Sequence, residues 1–93
     1  MSEATEFSAA AFSATVTDIR LESREGSTVR WRMTLNRTEF AAGDVGVLRA
    51  VSRSGTQIEV PVLAVVADEA GDLWHVVEKP LAGGTDVVGQ VMR

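Results

Sequence analysis

The stretch Thr28–Arg37, TVRWRMTLNR, alternates in polarity without a slip. Val29, Trp31, Met33 and Leu35 fall on one parity; Thr28, Arg30, Arg32 and Thr34 fall on the other. A period of two belongs to a β-strand with one face in a core and the other in water. A helix needs apolar residues spaced by three and four, and no stretch of useful length shows that spacing.

Upstream, Phe12, Ala14 and Val16 share a face, and the apolar parity then moves by one to Ile19 and Leu21. One extra residue produces such a shift. The pattern predicts a β-bulge at Thr17–Asp18 or, as the alternative, a strand that changes sheets there. Ser23–Ser27 reads as a turn, with Gly26 free to take a positive φ. Downstream, turns at Phe40–Asp44, Arg53–Thr56 and Asp68–Asp72 and a loop at Lys79–Thr85 separate runs at 45–52, 57–67, 73–77 and 86–92. Pro61 cannot donate to a ladder, which places it at an edge, a bulge or a strand break.

Six strands with short turns predict an all-β domain, a small six-stranded, partly open β-barrel, with a β-sandwich as the alternative. Residues 1–11 are expected to form a flexible N-terminal arm, with a helical turn over Ser2–Glu6 as the alternative, and residues 12–93 a single domain. Phe40-Ala-Ala-Gly-Asp-Val45 echoes Leu81-Ala-Gly-Gly-Thr-Asp-Val87. Each sets an apolar residue and two small ones before a glycine turn and a Val-led strand. The physical reading is a repeated tight turn whose apolar residue plugs the end of the barrel.

Ninety-three residues fit one domain, and 45% apolar residues suffice for one core without staples. The absence of cysteine excludes disulfides, thiolate metal sites and a cysteine nucleophile, and fits a reducing compartment. The net charge is −4. Residues 1–53 are balanced and residues 54–93 supply the excess acid, so phosphate is repelled unless basic groups are segregated. No apolar span is long enough for a membrane helix, and the first residues carry acids where a secretory signal needs bases. The expectation is a cytoplasmic protein, or one assembled from the cytoplasm into a larger particle, with no membrane association.

The chemistry-bearing residues are few. His75 is the sole histidine, in a strand beside Trp74, and no G-x-S-x-G elbow accompanies it. It reads as a surface or half-buried strand histidine. Asp68–Asp72 is too short for an EF-hand loop and reads as a turn on Asp68 and Gly71. Gly83-Gly84-Thr85 lacks the lysine and helix of a phosphate loop. No catalytic, cofactor-binding or metal-binding residue emerges, and a non-enzymatic role with no cofactor is expected.

Two features point to partners. Arg30, Arg32 and Arg37 form a candidate partner face. Alternation turns Trp31 away from them, so a stacking platform for single-stranded nucleic acid is poorly supplied. In the simplest account Arg30 and Arg32 pair with Asp18, Glu22 or Glu25 across the strands. The second feature is apolar surplus: Val62–Val66 is apolar on both parities, as are parts of the last two strands. Such strands are covered on both sides. This predicts a protein interface at Val62, Val65, Val66, Val88, Val91 and Met92. The reading is a protein-binding or assembly module, a homo-oligomeric or accessory structural subunit of a larger complex, with a phage or virion particle as one setting. The alternatives are a small nucleic-acid-binding barrel using Arg30, Arg32, Arg37, Arg49 and Arg53, and an acidic nucleic-acid mimic.

Overall fold

The computed structural model describes residues 11–51 and 54–92. The expected arm, apart from Ala11, and Arg53 lie outside these. The described residues form strands and no helix: β1 (Ala11–Glu25), β2 (Thr28–Leu35), β3 (Val45–Val51), β4 (Gln57–Val62), β5 (Ala64–Ala67), β6 (Leu73–Val77) and β7 (Asp86–Met92). They make one antiparallel sheet in the order β4-β3-β7-β1-β2-β6-β5. Its two outermost strands, β4 and β5, follow each other in the chain with Leu63 alone between them. The sheet therefore coils until its edges meet in one segment, yet no ladder among the described residues joins them and it stays open.

Seven strands replace the expected six because the run 57–67 breaks at Leu63. The break has the same effect as the bulge on β1. There the register slips between Val16 and Asp18, so Thr17 is the extra residue, as its parity requires. Up to Thr15 β1 pairs with β7, and from Val16 onward with β2, so the strand changes partners beside the bulge. Val16 and Ile19 thereby face inward three residues apart. Val62 and Val65 do likewise across Leu63, both almost fully buried. Apolar residues on both parities of 62–66 thus mark a switch of parity within one chain, and no second covered face is needed to explain them. Pro61 sits on β4, at the edge of the sheet, where its missing N–H deprives no ladder.

The echoed turns have the same build. Gly43 and Gly84 hold φ of 94° and 88°, the left-handed region that glycine enters without steric cost. Asp44 N–H closes on the Ala41 carbonyl at 3.0 Å, and Thr85 N–H on the Ala82 carbonyl at 3.1 Å. Gly43 N–H then reaches the Val65 carbonyl, just past the Leu63 break, and Gly84 N–H reaches the Val16 carbonyl, just before the bulge. Phe40 and Leu81 are buried plugs.

The core joins Phe12, Val16, Met33, Phe40, Leu48, Val60, Val65, Val77 and their neighbours. Two glycines make room in it. Phe12 packs over Gly89 and Phe40 over Gly46, and the two rings meet edge to face at 5.8 Å.

Candidate functional site

On β3, Gly46, Leu48 and Ala50 face the core, so Val45, Val47, Arg49 and Val51 face out. On β7, Val87, Gly89 and Val91 face in, and Asp86, Val88, Gln90 and Met92 face out. The ladder sets Val45 opposite Met92, Val47 opposite Gln90 and Arg49 opposite Val88. β4 adds Pro61 beside Val47 and Glu59 beside Arg49. The result is an apolar outer face with Val45 44%, Val51 64%, Val88 42% and Met92 58% exposed. Among the described residues its cation is Arg49, which donates to Glu59 at 3.0 Å and to Gln90 Oε1 at 3.0 Å, and Asp86 adds an exposed carboxylate at the end of β7.

The residues expected at an interface divide by parity. Val62 (2% exposed), Val65 (2%) and Val91 (7%) belong to the chain's own core, which corrects their assignment to a partner surface. Val88 and Met92 lie on the β3–β7 face. Val66 is exposed elsewhere, opposite Trp74 on β5. Sequence reading missed Val45 and Val51. Their signal was Gly46: a residue without a side chain lets Phe40 close over it, which assigns its parity to the core and the valines to the outside.

The arginines do not assemble into one surface. Arg49 lies on the β3–β7 face. Arg37, beyond β2, lies 5.5 Å from the Phe12 ring centre and donates to the Ser13 carbonyl at 2.9 Å and to Glu39 at 3.1 Å. Arg30 pairs with Glu78 at 3.9 Å and Arg32 with Glu22 at 3.7 Å. Glu22 was an expected partner of Arg32, whereas Glu78 was not among those expected for Arg30. Exposed pairs of this kind contribute little.

One arrangement escaped the sequence. Arg20 and Arg32 stand opposite each other in register and both lie over Trp74, at 5.7 and 4.7 Å from its ring. An aromatic and two arginines therefore do share a surface, because the ring comes from β6, two strands from β1. The guanidinium groups and their stems cover the outward Trp74, which is almost buried. Its Nε1–H donates to Asp68 Oδ2 at 2.8 Å, while Asp68 Oδ1 accepts the N–H groups of Ala70 and Asp72. These bonds, the indole's first, hold the Asp68 carboxyl below its ordinary pKa.

His75 is inward and fully buried, which corrects the expected surface or half-buried position. A carbonyl can only accept, so Nδ1–H donates to Met33 O at 2.9 Å. Nε2 then accepts from the Thr38 hydroxyl at 2.9 Å, and that hydroxyl accepts the Phe40 N–H at 3.0 Å. Both ring nitrogens are thus partnered in the neutral form. Burial pushes the imidazole below its ordinary value, only partly offset by the Met33 carbonyl.

A cleft of about 610 Å³ lies where the 81–86 loop faces Ala50, Val51 and Ile58. Its carboxylate, Asp86, accepts the Thr15 hydroxyl at 2.8 Å. No group of three or more metal-ligating side chains occurs among the described residues. No helix among them is long and apolar enough to cross a membrane. Comparison of the chain with protein-family models, curated proteins and solved structures finds no match.

Proposed function

We propose that this chain is a non-enzymatic protein-binding or assembly module whose contact surface is the outer face of β3 and β7. One observation carries the reading. Of eight exposed large apolar side chains among the described residues, four gather on these two adjacent strands, while the opposite parity of the same strands is spent on the core. Apolar residues scattered singly over a surface are ordinary; a set on neighbouring strands marks a contact site. The nucleic-acid alternative loses support from the dispersal and internal pairing of its arginines. The acidic-mimic alternative loses support because Glu59, Asp68 and Glu78 are engaged by Arg49, the 68–72 turn and Arg30.

Photo-crosslinking tests the reading. A benzophenone side chain introduced at Val88 or Val45, in the native cell extract, is expected to yield discrete protein adducts. The same group at Ser23, exposed on the distant β1–β2 ribbon, is expected to yield few. Equal labelling from the three positions, or none, refutes the proposal.

A further inference from the structure

We infer that the cleft at the fork of β3 and β7 receives a lysine or arginine side chain of the protein that docks on the β3–β7 face; the inference rests on the contact surface proposed above and names the chemistry of its partner. Three observations carry it.

The first is how the cleft forms. The β3–β7 ladder ends at the pair Arg49–Val88, although β3 runs on to Val51 and β7 starts at Asp86. In a continued register Val51 would stand opposite Asp86. The strands part instead, and the cleft of about 610 Å³ fills the fork, with the 81–86 loop as its far side. That volume lies within the ~300–1,000 Å³ of sites that take small ligands. Val51 and Asp86 are outward residues, so the cleft adjoins the exposed row that carries Val88. Asp86 is two residues from Val88, about 7 Å along the strand.

The second is what lines it. Val51 and Ile58 stand on one side, and Ala82, Gly83 and Gly84 on the other. Walls of aliphatic and absent side chains suit a methylene stem. Asp86 is the ionisable group among the described residues that line the cleft. An aliphatic chain that ends in a cation matches this combination. A wholly apolar side chain would cover the carboxylate without pairing it, and an anion is repelled.

The third is that the carboxylate has no cation of its own. Asp86 Oδ1 accepts the Thr15 hydroxyl, and no base among the described residues pairs with it. Arg49 is directed to Glu59 and to Gln90, which lies on the far side of Val88 from Asp86. With Glu59 neutralised, Asp86 is the charge left over on this face among the described residues, in a chain that carries −4 overall. The field at the fork favours a base.

Nuclear magnetic resonance titration of the purified chain is the test. The probe is n-butylguanidinium, and n-butylurea, its uncharged isostere, is the comparison. Saturable shifts with n-butylguanidinium are expected at the amides of Val51, Ile58 and residues 82–86. n-Butylurea is expected to bind about fivefold more weakly, the ratio that corresponds to an exposed ion pair of ~1 kcal/mol. Asp86→Asn removes the charge and keeps an oxygen for the Thr15 hydroxyl, so it is expected to equalise the two probes while the rest of the spectrum stays in place. Equal affinities in the parent, a preference that survives Asp86→Asn, or no shift in the cleft overturns the inference. So does tighter binding to Arg53→Gln, which assigns the carboxylate to this chain's own arginine. The partner is read through benzophenone at Val88 in the cell extract, where Asp86→Lys is expected to remove the adducts that the parent gives. Adducts undiminished by Asp86→Lys refute the partner's cation and leave the contact surface standing. Absence of adducts with Asp86 intact refutes both.

Discussion

Gly89→Ala tests the core packing at its tightest point. A Cβ built at Gly89 lies 2.6 Å from Phe12 Cζ, 2.7 Å from Cε1 and 3.2 Å from Cε2. Carbon atoms in contact prefer about 3.5–4.0 Å, so the ring has to retreat by about 1 Å. It has little room to do so. Phe12 is 5% exposed and abuts Phe40 edge to face, and Phe40 in turn lies over Gly46, where a Cβ would come within 2.8 Å of its ring. Overpacking of this kind costs about 1–3 kcal/mol. Against it stands the gain from replacing a strand glycine by alanine, about 0.5–1 kcal/mol. The clash wins, and a net loss of about 1–2 kcal/mol is expected. At this chain length that lowers Tm by about 4–16 °C. Urea titration followed by tryptophan fluorescence should show a lower midpoint at unchanged slope. Phe12→Leu shortens the blocking side chain, so the double variant should lose less than the two single losses summed, by about 1 kcal/mol. A Gly89→Ala protein as stable as its parent, or more stable, would refute the seating of Phe12 on Gly89.

The remaining expectations use the same parity and the same buried groups. Val87→Asp, which places a charge in the core, should abolish the cooperative transition, whereas Val88→Asp, one residue on and outward, should stay within about 0.5 kcal/mol of the parent by denaturation of the monomer. His75 should make stability pH-dependent. Its folded pKa lies below the ordinary 6.5, so the unfolded chain binds the proton more readily. Stability is complete above about 6.5 and falls as the pH drops below it, by at most ~1.4 kcal/mol per pH unit. His75→Gln should remove that component from a denaturation series between pH 5 and 7, and an unchanged slope would contradict the assignment. Arg32→Ala in a Trp31→Phe background should uncover Trp74, with increased quenching by acrylamide; unchanged quenching would show that Arg32 does not cover the ring. Asp68→Asn leaves one accepting oxygen where the Trp74 indole and the Ala70 and Asp72 N–H groups now share two, and in the same Trp31→Phe background it should shift the Trp74 emission to longer wavelength.

What could be read from the chain depended on whether its cause was local. Alternation in Thr28–Leu35 and the slip at Thr17 are local consequences of side-chain direction, and both appear where the residues place them. The paired turns were legible for the same reason, because glycine and a small residue at fixed offsets are the turn itself. The run Val62–Val66 misled because two causes leave the same pattern: a strand covered on both faces, and a strand that changes parity. Only the pairing of β4 with β3 and of β5 with β6 separates them. Burial of His75 depends on Thr38, thirty-seven residues away, and the covering of Trp74 depends on two arginines from other strands. Periodicity carries no information about such partners. The contact face was half legible, through Val88 and Met92. Val45 and Val51 required knowing which parity of a Gly- and Ala-bearing strand faces inward.

The pairings also constrain how the chain holds together. One long segment with a parity shift, β1, leads into β2, a glycine turn and β3. A second, β4 and β5 across Leu63, leads into β6, a glycine turn and β7. Within each half only one ladder is internal, β1 with β2 and β5 with β6. The other four, β1–β7, β2–β6, β3–β4 and β3–β7, cross between the halves. The rings follow suit: Phe12 of the first half fills the space above Gly89 of the second. A half separated from its mate would keep a bare hairpin, which is marginal in water, so neither half has a core of its own and the two fold as one unit. Such a unit has no interior apolar side chain to lend to a partner without opening itself. Association with another molecule must therefore draw on side chains already outside the core, and on β3 and β7, the strands that join the two halves, those side chains are mostly valine and methionine.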